Sequence, residues 1–393
     1  MKKWIRGICS MKRYFIVNEF FGSRVYDSLE KKEKYYNKEE TVKIKETLYD
    51  DYIEIDNSSE TNISSPLKIS MNLTKSCNLR CKQCFSDSGE IKAPELTTEE
   101  MYKLFDSMRN NGTFFICIGG GEPFMRKDLL DILEYGKNKQ LAISIVSNGL
   151  LLTKELIHEL NQKELDTLWI SLDGLESNHD YLRGTGTFEK AVESIKLLKK
   201  EFNSKIAIRI SLSKRNISEY LELIKLAEEL DVDILRFTPI LSFGRARNED
   251  LLITQDQYIS FLNNIKTIES KVNIIYPNMP SSKFWINTED FGCHCGKEAV
   301  WIDELGNYSP CIFFGDEYIV GNIKEDDYID LWKKSISISK YEGNAICRSC
   351  NNYNSCRGGC RARVLNETGN WNGVDTLCPL KKNINQMGIK NEK

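Results

Sequence analysis

Histidine is scarce in this chain. His158, His179 and His294 are the only three in 393 residues, and their spacing forms no ligand set, so surface positions are expected for them rather than imidazole metal chemistry. Long apolar runs are missing too. Nothing approaches the roughly 18 consecutive residues a membrane-spanning helix needs, so no membrane partner is expected. The opening "MKKWIRGICSMKRYFIVNEFF" carries positive charge but no continuous apolar segment ending in a small-residue cleavage site. A signal peptide is therefore not expected, and the protein is placed in the cytoplasm. An excess of either charge is also lacking: 54 Lys and Arg stand against 57 Asp and Glu, scattered without a basic stripe. That excludes the electrostatic footprint of a nucleic-acid binder.

Cysteine is the opposite case. Thirteen is a large and odd number, and a reducing compartment disfavours structural disulfides, so metal ligation is the default reading. The thiols cluster at residues 77–84, 293–311 and 347–378, and only Cys9 and Cys117 stand apart. Cys117 lies in "FFICI", where packing is the plain reading.

Residues 1–66 read as a small β/α module: strands at "RYFIV", "GSRVYD" and "KYY", a helix in "NKEETVKIKETL" opened by Asn37, then a polar linker, "DDYIEIDNSSETNISSP". From Pro66 a strand and helix alternation repeats six times. Strands are expected at "LKISMNL", "FFICI", "AISIVS", "TLWISL", "IAIRISL" and "ILRFTPI". Helices are expected over Thr97 to Asn110 behind a Thr97 and Glu100 capping box, Lys127 to Lys139, Thr153 to Lys163, Phe188 to Phe202, and Ile217 to Leu230 behind Asn216 and Glu219. Continuous apolar strands joined by helices imply a parallel sheet with right-handed crossovers. Six repeats fall short of a closed eight-fold barrel, so the fold class is α/β, a partial (β/α)6 TIM-like barrel. The domains are expected at 1–66 for the N-terminal module, 67–250 for the barrel core, 251–289 as a helical bridge, and 290–393 as a cysteine-rich domain.

In such sheets chemistry sits beyond the carboxyl ends of the strands. "KSCNLRCKQC" follows the first strand, "GGGEPF" the second, Ser147 and Asn148 with "NGL" the third, and "DGL" after Ser171 the fourth. All four fall on one rim. A cubane iron-sulfur cluster offers four irons to thiolates, so Cys77, Cys81 and Cys84 leave one open. A structural zinc site takes four ligands in a closed tetrahedron and fits less well, and the stretch is too polar for core thiols. The open iron needs a ligand from outside. Gly119, Gly120 and Gly121 would let backbone approach it, and Glu122 and Pro123 present an acceptor suited to an ammonium group, although an ordinary turn is the plainer reading of those glycines.

CxxxCxxC followed by Phe85, with a GGEP motif after the next strand, resembles the radical S-adenosylmethionine superfamily. The resemblance implies that S-adenosylmethionine chelates the open iron of a [4Fe-4S] cluster and that a 5'-deoxyadenosyl radical abstracts a substrate hydrogen. It also implies that Gly120, Gly121 and Glu122 hold the methionyl amine, that Ser147 and Asn148 face the ribose or carboxylate, and that Ser171 and Arg183 approach the carboxylate. The bland alternatives are a turn cap for Ser147 and Asn148 and a surface ion pair for Arg183.

The last third holds eight thiols, Cys293, Cys295, Cys311, Cys347, Cys350, Cys356, Cys360 and Cys378. Paired CxxC motifs also build zinc ribbons, but eight is the number two cubanes require. Gly306 five residues before Cys311, then CxxCxxxxxCxxxC and a final cysteine, closely resembles the SPASM domain of radical S-adenosylmethionine enzymes, as does "FGRA" at 243–246 upstream. The resemblance implies two auxiliary clusters, three [4Fe-4S] clusters in all. Cys295, Cys311 and Cys360 would hold the first, with Cys293 as fourth ligand, and Cys347, Cys350, Cys356 and Cys378 the second. Cys293 departs from the pattern by sitting only two residues before Cys295, which leaves His294 or an open iron as alternatives.

SPASM enzymes mostly modify peptides or proteins. Those that make formylglycine in sulfatases carry an aspartate after the cysteine equivalent to Cys311, where this chain has Ile312. The N-terminal module resembles leader-peptide recognition elements, which capture an extended peptide at a sheet edge. The resemblance therefore implies a peptide maturase acting on a ribosomally made precursor peptide, served by an electron donor such as flavodoxin or ferredoxin. Action on a protein or small molecule, as in sulfatase maturation or cofactor biosynthesis, is the first alternative, and a non-catalytic zinc module the second.

Overall fold

A computed structural model describes residues 11–57, 59, 62–277, 293–339 and 344–380; Cys9 lies outside them. The chain opens with β1 (Tyr14–Glu19), β2 (Gly22–Asp27) and β3 (Lys32–Asn37), an antiparallel meander. Asn37 then caps α1 (Lys38–Leu48) through a capping box, its side chain accepting from the Glu40 amide while Glu40 accepts from the Asn37 amide. The stretch expected as a linker is in part a fourth strand. β4 (Tyr52–Ile55) lies parallel to β1, giving the order β3-β2-β1-β4. Four residues are too short a run for alternation to separate a strand from a linker.

This sheet is locked to the barrel. Tyr26 stacks on Phe114 at 4.3 Å, with Phe15 at 5.0 Å from the same ring. Arg24, wholly buried, donates to Glu19 at 2.6 Å, Glu33 at 2.8 Å and the Gly112 carbonyl at 3.1 Å. Glu19 in turn accepts from the Ser64 amide and hydroxyl. Burial raises the Glu33 carboxyl pKa against the pull of Arg24, so the pair is held by full satisfaction of its hydrogen bonds rather than by charge alone.

The second sheet contains the six expected parallel strands in sequence order: β5 (Lys68–Thr74), β6 (Phe115–Gly120), β7 (Ala142–Ser147), β8 (Thr167–Ser171), β9 (Lys205–Leu212) and β10 (Ile234–Pro239). Between them run α2 (Thr98–Asn110), α3 (Leu129–Asn138), α4 (Lys154–Gln162), α5 (Glu176–Arg183), α6 (Thr187–Glu201) and α7 (Tyr220–Glu229). Ile69, Ile116, Ile145, Ile170, Ile208 and Leu235 are buried from these strands in the main core. The helix α5 was not expected; it lacks a side-chain cap and carries mostly polar residues. Asn216 does not cap the last helix as expected. Its side chain instead accepts from the Ser213 amide and donates to the carbonyls of Asp173 and Ser211, tying two rim loops together.

The sheet continues past both ends of the six. The bridge expected as helical holds α8 (Gln255–Ile265) and also β11 (Asn273–Ile275), parallel to β10. On the other edge β12 (Ala299–Ile302) pairs parallel with β5, followed antiparallel by β13 (Asn307–Ser309) and β14 (Gly321–Asn322). α9 (Tyr328–Ile338) buries Trp332, whose indole donates to the Ile63 carbonyl, and Tyr328, whose hydroxyl bonds Thr113. The cysteine-rich end is built on α10 (Ala345–Arg348), α11 (Tyr353–Cys356) and α12 (Arg361–Thr368).

Removing the guanidinium in Arg24→Ala leaves two carboxylates facing each other without a cation, and should cost about 3–5 kcal/mol in urea unfolding. A change within experimental error would show that the N-terminal sheet is not fastened through this residue.

Candidate active site

The rim at the carboxyl ends of the strands encloses a cavity of about 250 Å³. It is lined by Cys77, Cys81 and Cys84, by Gly119, Gly120 and Gly121, and by Ser147, Asn148, Ser171 and Arg183. Four separate rim segments read from the sequence thus meet in one place. Among the described residues no three Cys, His, Asp or Glu side chains meet around a point in the manner of a mononuclear site; the three thiols border open volume, the arrangement a polynuclear cluster requires.

The cysteine loop has little regular structure, so its backbone must be held from outside. Gly244 sits with φ +57° against it, and a Cβ there would lie 2.2 Å from the Phe85 carbonyl oxygen and 2.4 Å from that of Cys84. Arg245 donates its amide to the Cys84 carbonyl at 2.9 Å, its Nε to the Cys81 carbonyl at 2.8 Å and its Nη1 to Asp87 and the Ser88 carbonyl. The FGRA stretch is therefore the clamp of the loop. The glycines of GGGEP serve the same end: a Cβ on Gly121 would lie 2.0 Å from the Ser76 carbonyl oxygen, and one on Gly120 2.7 Å from that of Thr74. Only Gly119 has ordinary room around its Cα.

Burial raises the Cys77 thiol to about 11 and raises that of Cys81. At Cys84 burial is outweighed by hydrogen bonds from Ser86 and Ser88 and by the Arg245 charge, and the pKa falls below its usual value. A soft metal would have to displace protons from the first two. The donor set and the space beside it fit an iron-sulfur cluster.

Glu122 is fully buried and does not line the cavity. It accepts from the Ser147 hydroxyl at 2.9 Å, the Asn148 amide at 2.8 Å and the Phe124 amide at 3.3 Å, so it shapes the third rim turn from below. Burial raises its carboxyl to about 7, against those hydrogen bonds. Arg183 is no surface side chain: its Nε donates to Asp173 at 2.7 Å and its Nη1 lies 4.0 Å from the Cys81 sulfur.

Asp173 is the hub that motif reading passed over. Fully buried, it accepts from Gln83 at 2.5 Å, Arg183 at 2.7 Å and the Ser211 amide at 2.6 Å. Burial opposes its ionisation but Arg183 and the Ser211 amide prevail and hold its pKa low. The signal was its place directly beyond the fourth strand. His179, expected at the surface, is only 1% exposed, accepting the Asp173 amide at Nδ1. Burial first, then the Arg183 charge, lowers it to about 4.

At the C-terminal end the free thiols of Cys293, Cys295, Cys311 and Cys360 lie near one another, Cys295 within hydrogen-bond reach of Cys293 and Cys311. Cys356 and Cys378 form a second association, while the Cys350 amide bonds the Cys347 carbonyl. Arg363 clamps Asp375 through two bonds of 2.7 and 2.8 Å, and Asp375 accepts the Cys360 amide, fixing the spacing between the two groups. His294 faces Glu298 at 3.0 Å. Cys117 lines the main cavity, and Ile312 and Phe313 form part of its wall.

Residues 71–238 match the family model of the radical SAM superfamily, and residues 293–360 that of SPASM, an iron-sulfur cluster-binding domain. The mycofactocin maturase MftC of Mycobacterium tuberculosis H37Rv is 28% identical over 334 residues, covering 81% of this chain and 84% of that protein. An AdoMet-dependent heme synthase of Methanosarcina barkeri is 28% identical over 342 residues, covering 80% of this chain and 97% of that protein. Among solved structures, Streptococcus suis SuiB bound to its precursor peptide SuiA superposes with TM-score 0.74 at 16% identity, covering 93% of this chain and 98% of that one. The structure of anSMEcpe with bound AdoMet gives 0.67 at 19% identity, covering 82% of this chain and 96% of that one.

Gly244→Ala should displace the Cys84 carbonyl and lower iron content after anaerobic reconstitution by about four atoms per chain, one cubane's worth. Full iron incorporation in that variant would show that the clamp is dispensable. His179 gives a pH test. Its folded pKa lies below its unfolded value, so the unfolded chain takes up a proton first and stability present above pH 6.5 is lost as pH falls toward 4, by up to ~3 kcal/mol. His179→Asn should remove that dependence, and an identical slope for both proteins in urea titrations across this window would refute it.

Proposed function

We propose that this chain, a member of the radical SAM superfamily with a C-terminal SPASM domain, crosslinks or otherwise matures a ribosomally synthesised peptide. The observation that carries the reading is the N-terminal sheet fastened onto the barrel. β3 is an edge strand, with α1 beside it exposing Val42 at 59%. An extended leader could add to that edge through backbone hydrogen bonds while its side chains meet the helix. The likeness to SuiB with its precursor peptide supports this, since the part of the chain it leaves uncovered is shorter than the sheet module, and so does the name of the MftC relative.

When bound, a cluster on Cys77, Cys81 and Cys84 together with S-adenosylmethionine supplies a 5'-deoxyadenosyl radical. The protein's own groups position and shield. Gly120 and Gly121 would set the wall at the methionyl amine, with Glu122 supporting that wall from behind, Ser147 and Asn148 at the ribose or carboxylate and Ser171 and Arg183 at the carboxylate. The eight C-terminal cysteines would hold two further [4Fe-4S] clusters, reduced by a donor such as flavodoxin or ferredoxin. Ile312 and Phe313 give the cavity an apolar wall where a formylglycine-forming relative carries a carboxylate. A second reading, chemistry of the heme synthase kind, is favoured by the relative covered over 97% of its own length.

Anaerobic reconstitution should yield about twelve irons per chain and release 5'-deoxyadenosine from S-adenosylmethionine. Coexpression with short reading frames beside the gene should give a peptide that has lost two hydrogens, read by mass spectrometry. Turnover of a tetrapyrrole with no peptide changed would favour the second reading. Val42→Asp should weaken leader binding about tenfold, some 1.4 kcal/mol, without lowering the melting temperature; unchanged binding would move the leader elsewhere.

A further inference from the structure

The inner face of the barrel below the cavity is cationic. Arg209 on β9 and Arg236 on β10 are register partners on adjacent parallel strands, so their side chains leave the sheet on one face, side by side. Arg209 lines the cavity with Ser70, Cys117 and Thr238. Lys68 stands two residues before Ser70 on β5, hence on the same face. The three cations feel one another across the lumen: after burial, Arg236 and Arg209 depress Lys68 against the opposing pull of Cys117 and Asp166, and Arg209 depresses Arg236 against that of Cys117.

None of the three side chains makes an ion pair or a hydrogen bond with a described residue, whereas Arg126, Lys163 and Arg183 elsewhere on the barrel each have a carboxylate. No Asp or Glu lines the cavity among the described residues. Two neutral donors join the cations. The Thr238 hydroxyl and the Trp301 indole, the latter on the register partner of Ser70, are buried without a partner. Like charges set directly opposite on neighbouring strands repel, and buried donors without acceptors cost free energy. One oxyanion in the lumen would relieve both. Of the three, Arg209 borders the cavity itself, while Arg236 is exposed to solvent, as a side chain at the hydrated end of the lumen is.

We propose that Lys68, Arg209 and Arg236 form a floor beneath the candidate active site that captures a carboxylate of the substrate. Paired guanidinium forks match a planar carboxylate, and a peptide brings one at its C-terminus or on Asp or Glu. Anchoring that group at the floor fixes how far the substrate enters, and so which residue stands at the rim. The proposal rests on the peptide reading only for the source of the carboxylate.

The test is labelling of arginines by phenylglyoxal on the reconstituted full-length protein, mapped by mass spectrometry. Acetate should slow modification of Arg209 and Arg236 about tenfold relative to chloride at equal ionic strength, with Arg80, whose side chain is 58% exposed, as the unprotected reference. Lys68→Met should weaken the protection. Equal labelling in acetate and chloride overturns the floor, and protection by inorganic phosphate but not acetate overturns the carboxylate assignment. Arg236→Gln relieves repulsion, so its melting temperature should not fall; a drop of several degrees would mark a structural side chain and sink the proposal. Once a peptide is found, C-terminal amidation against Asp→Asn or Glu→Gln exchange in that peptide identifies which carboxylate is held. Acetate protection without any modified peptide would leave the floor standing and remove the peptide reading. A peptide processed equally well by Arg209→Gln/Arg236→Gln would do the reverse.

Discussion

The loop from Ser76 to Gly89 must present three sulfurs in one arrangement while contributing almost no regular hydrogen bonding of its own, and the rest of the rim is organised around that demand. Its backbone is satisfied by partners distant in sequence: the Lys82 amide by Leu182, the Cys81 and Cys84 carbonyls by Arg245, and the Ser76 carbonyl by the amide of Glu122. Those partners lie beyond three different strands, Glu122 after β6, Leu182 in α5 after β8 and Arg245 after β10. Glycine appears at 121 and 244 because the approach is backbone to backbone, where even a methyl group would collide.

The electrostatics of the cavity follow from the same arrangement. Carboxylates close to it are turned inward and committed, Asp173 to Arg183 and Gln83, Glu122 to the Ser147 and Asn148 turn. The described residues that face the cavity are positive or neutral, with Arg183, Arg209 and Arg245 among them. A cluster held through thiolates and a substrate bearing a carboxylate would both bring negative charge, so one field would suit both ligands.

Much of the barrel was legible because each of its six strands is a short, nearly continuous apolar run flanked by turn residues, and because Thr97 and Asn37 begin real capping boxes. The parts that were not legible share a cause. β4 and β11 are four and three residues long, too brief for any period to register, and α5 opens without a capping side chain. Arg245 could be noticed as part of FGRA but not understood, since its partner Cys81 lies 164 residues away. Asp173 looked like a turn residue because burial is invisible in one dimension. The lumen cations did leave a trace: an arginine inside "IAIRISL" and another inside "ILRFTPI" break otherwise apolar strands, and a charge placed there must have somewhere hydrated to point.

The C-terminal cysteines are positioned by the barrel rather than hung from it. β12 pairs with β5 from Ala299 to Ile302, and Cys295 bridges to Ala299 at its start, so the segment carrying Cys293 and Cys295 is registered against the same strand that ends at the loop of Cys77. Phe313, two residues beyond Cys311, meets Phe85, the residue after Cys84, edge to face at 5.5 Å. A sheet register and an aromatic contact therefore join the two thiol regions at both ends. The wall that Ile312 and Phe313 give the cavity is thereby tied to the barrel's own sheet at one end and to the loop of Cys84 at the other.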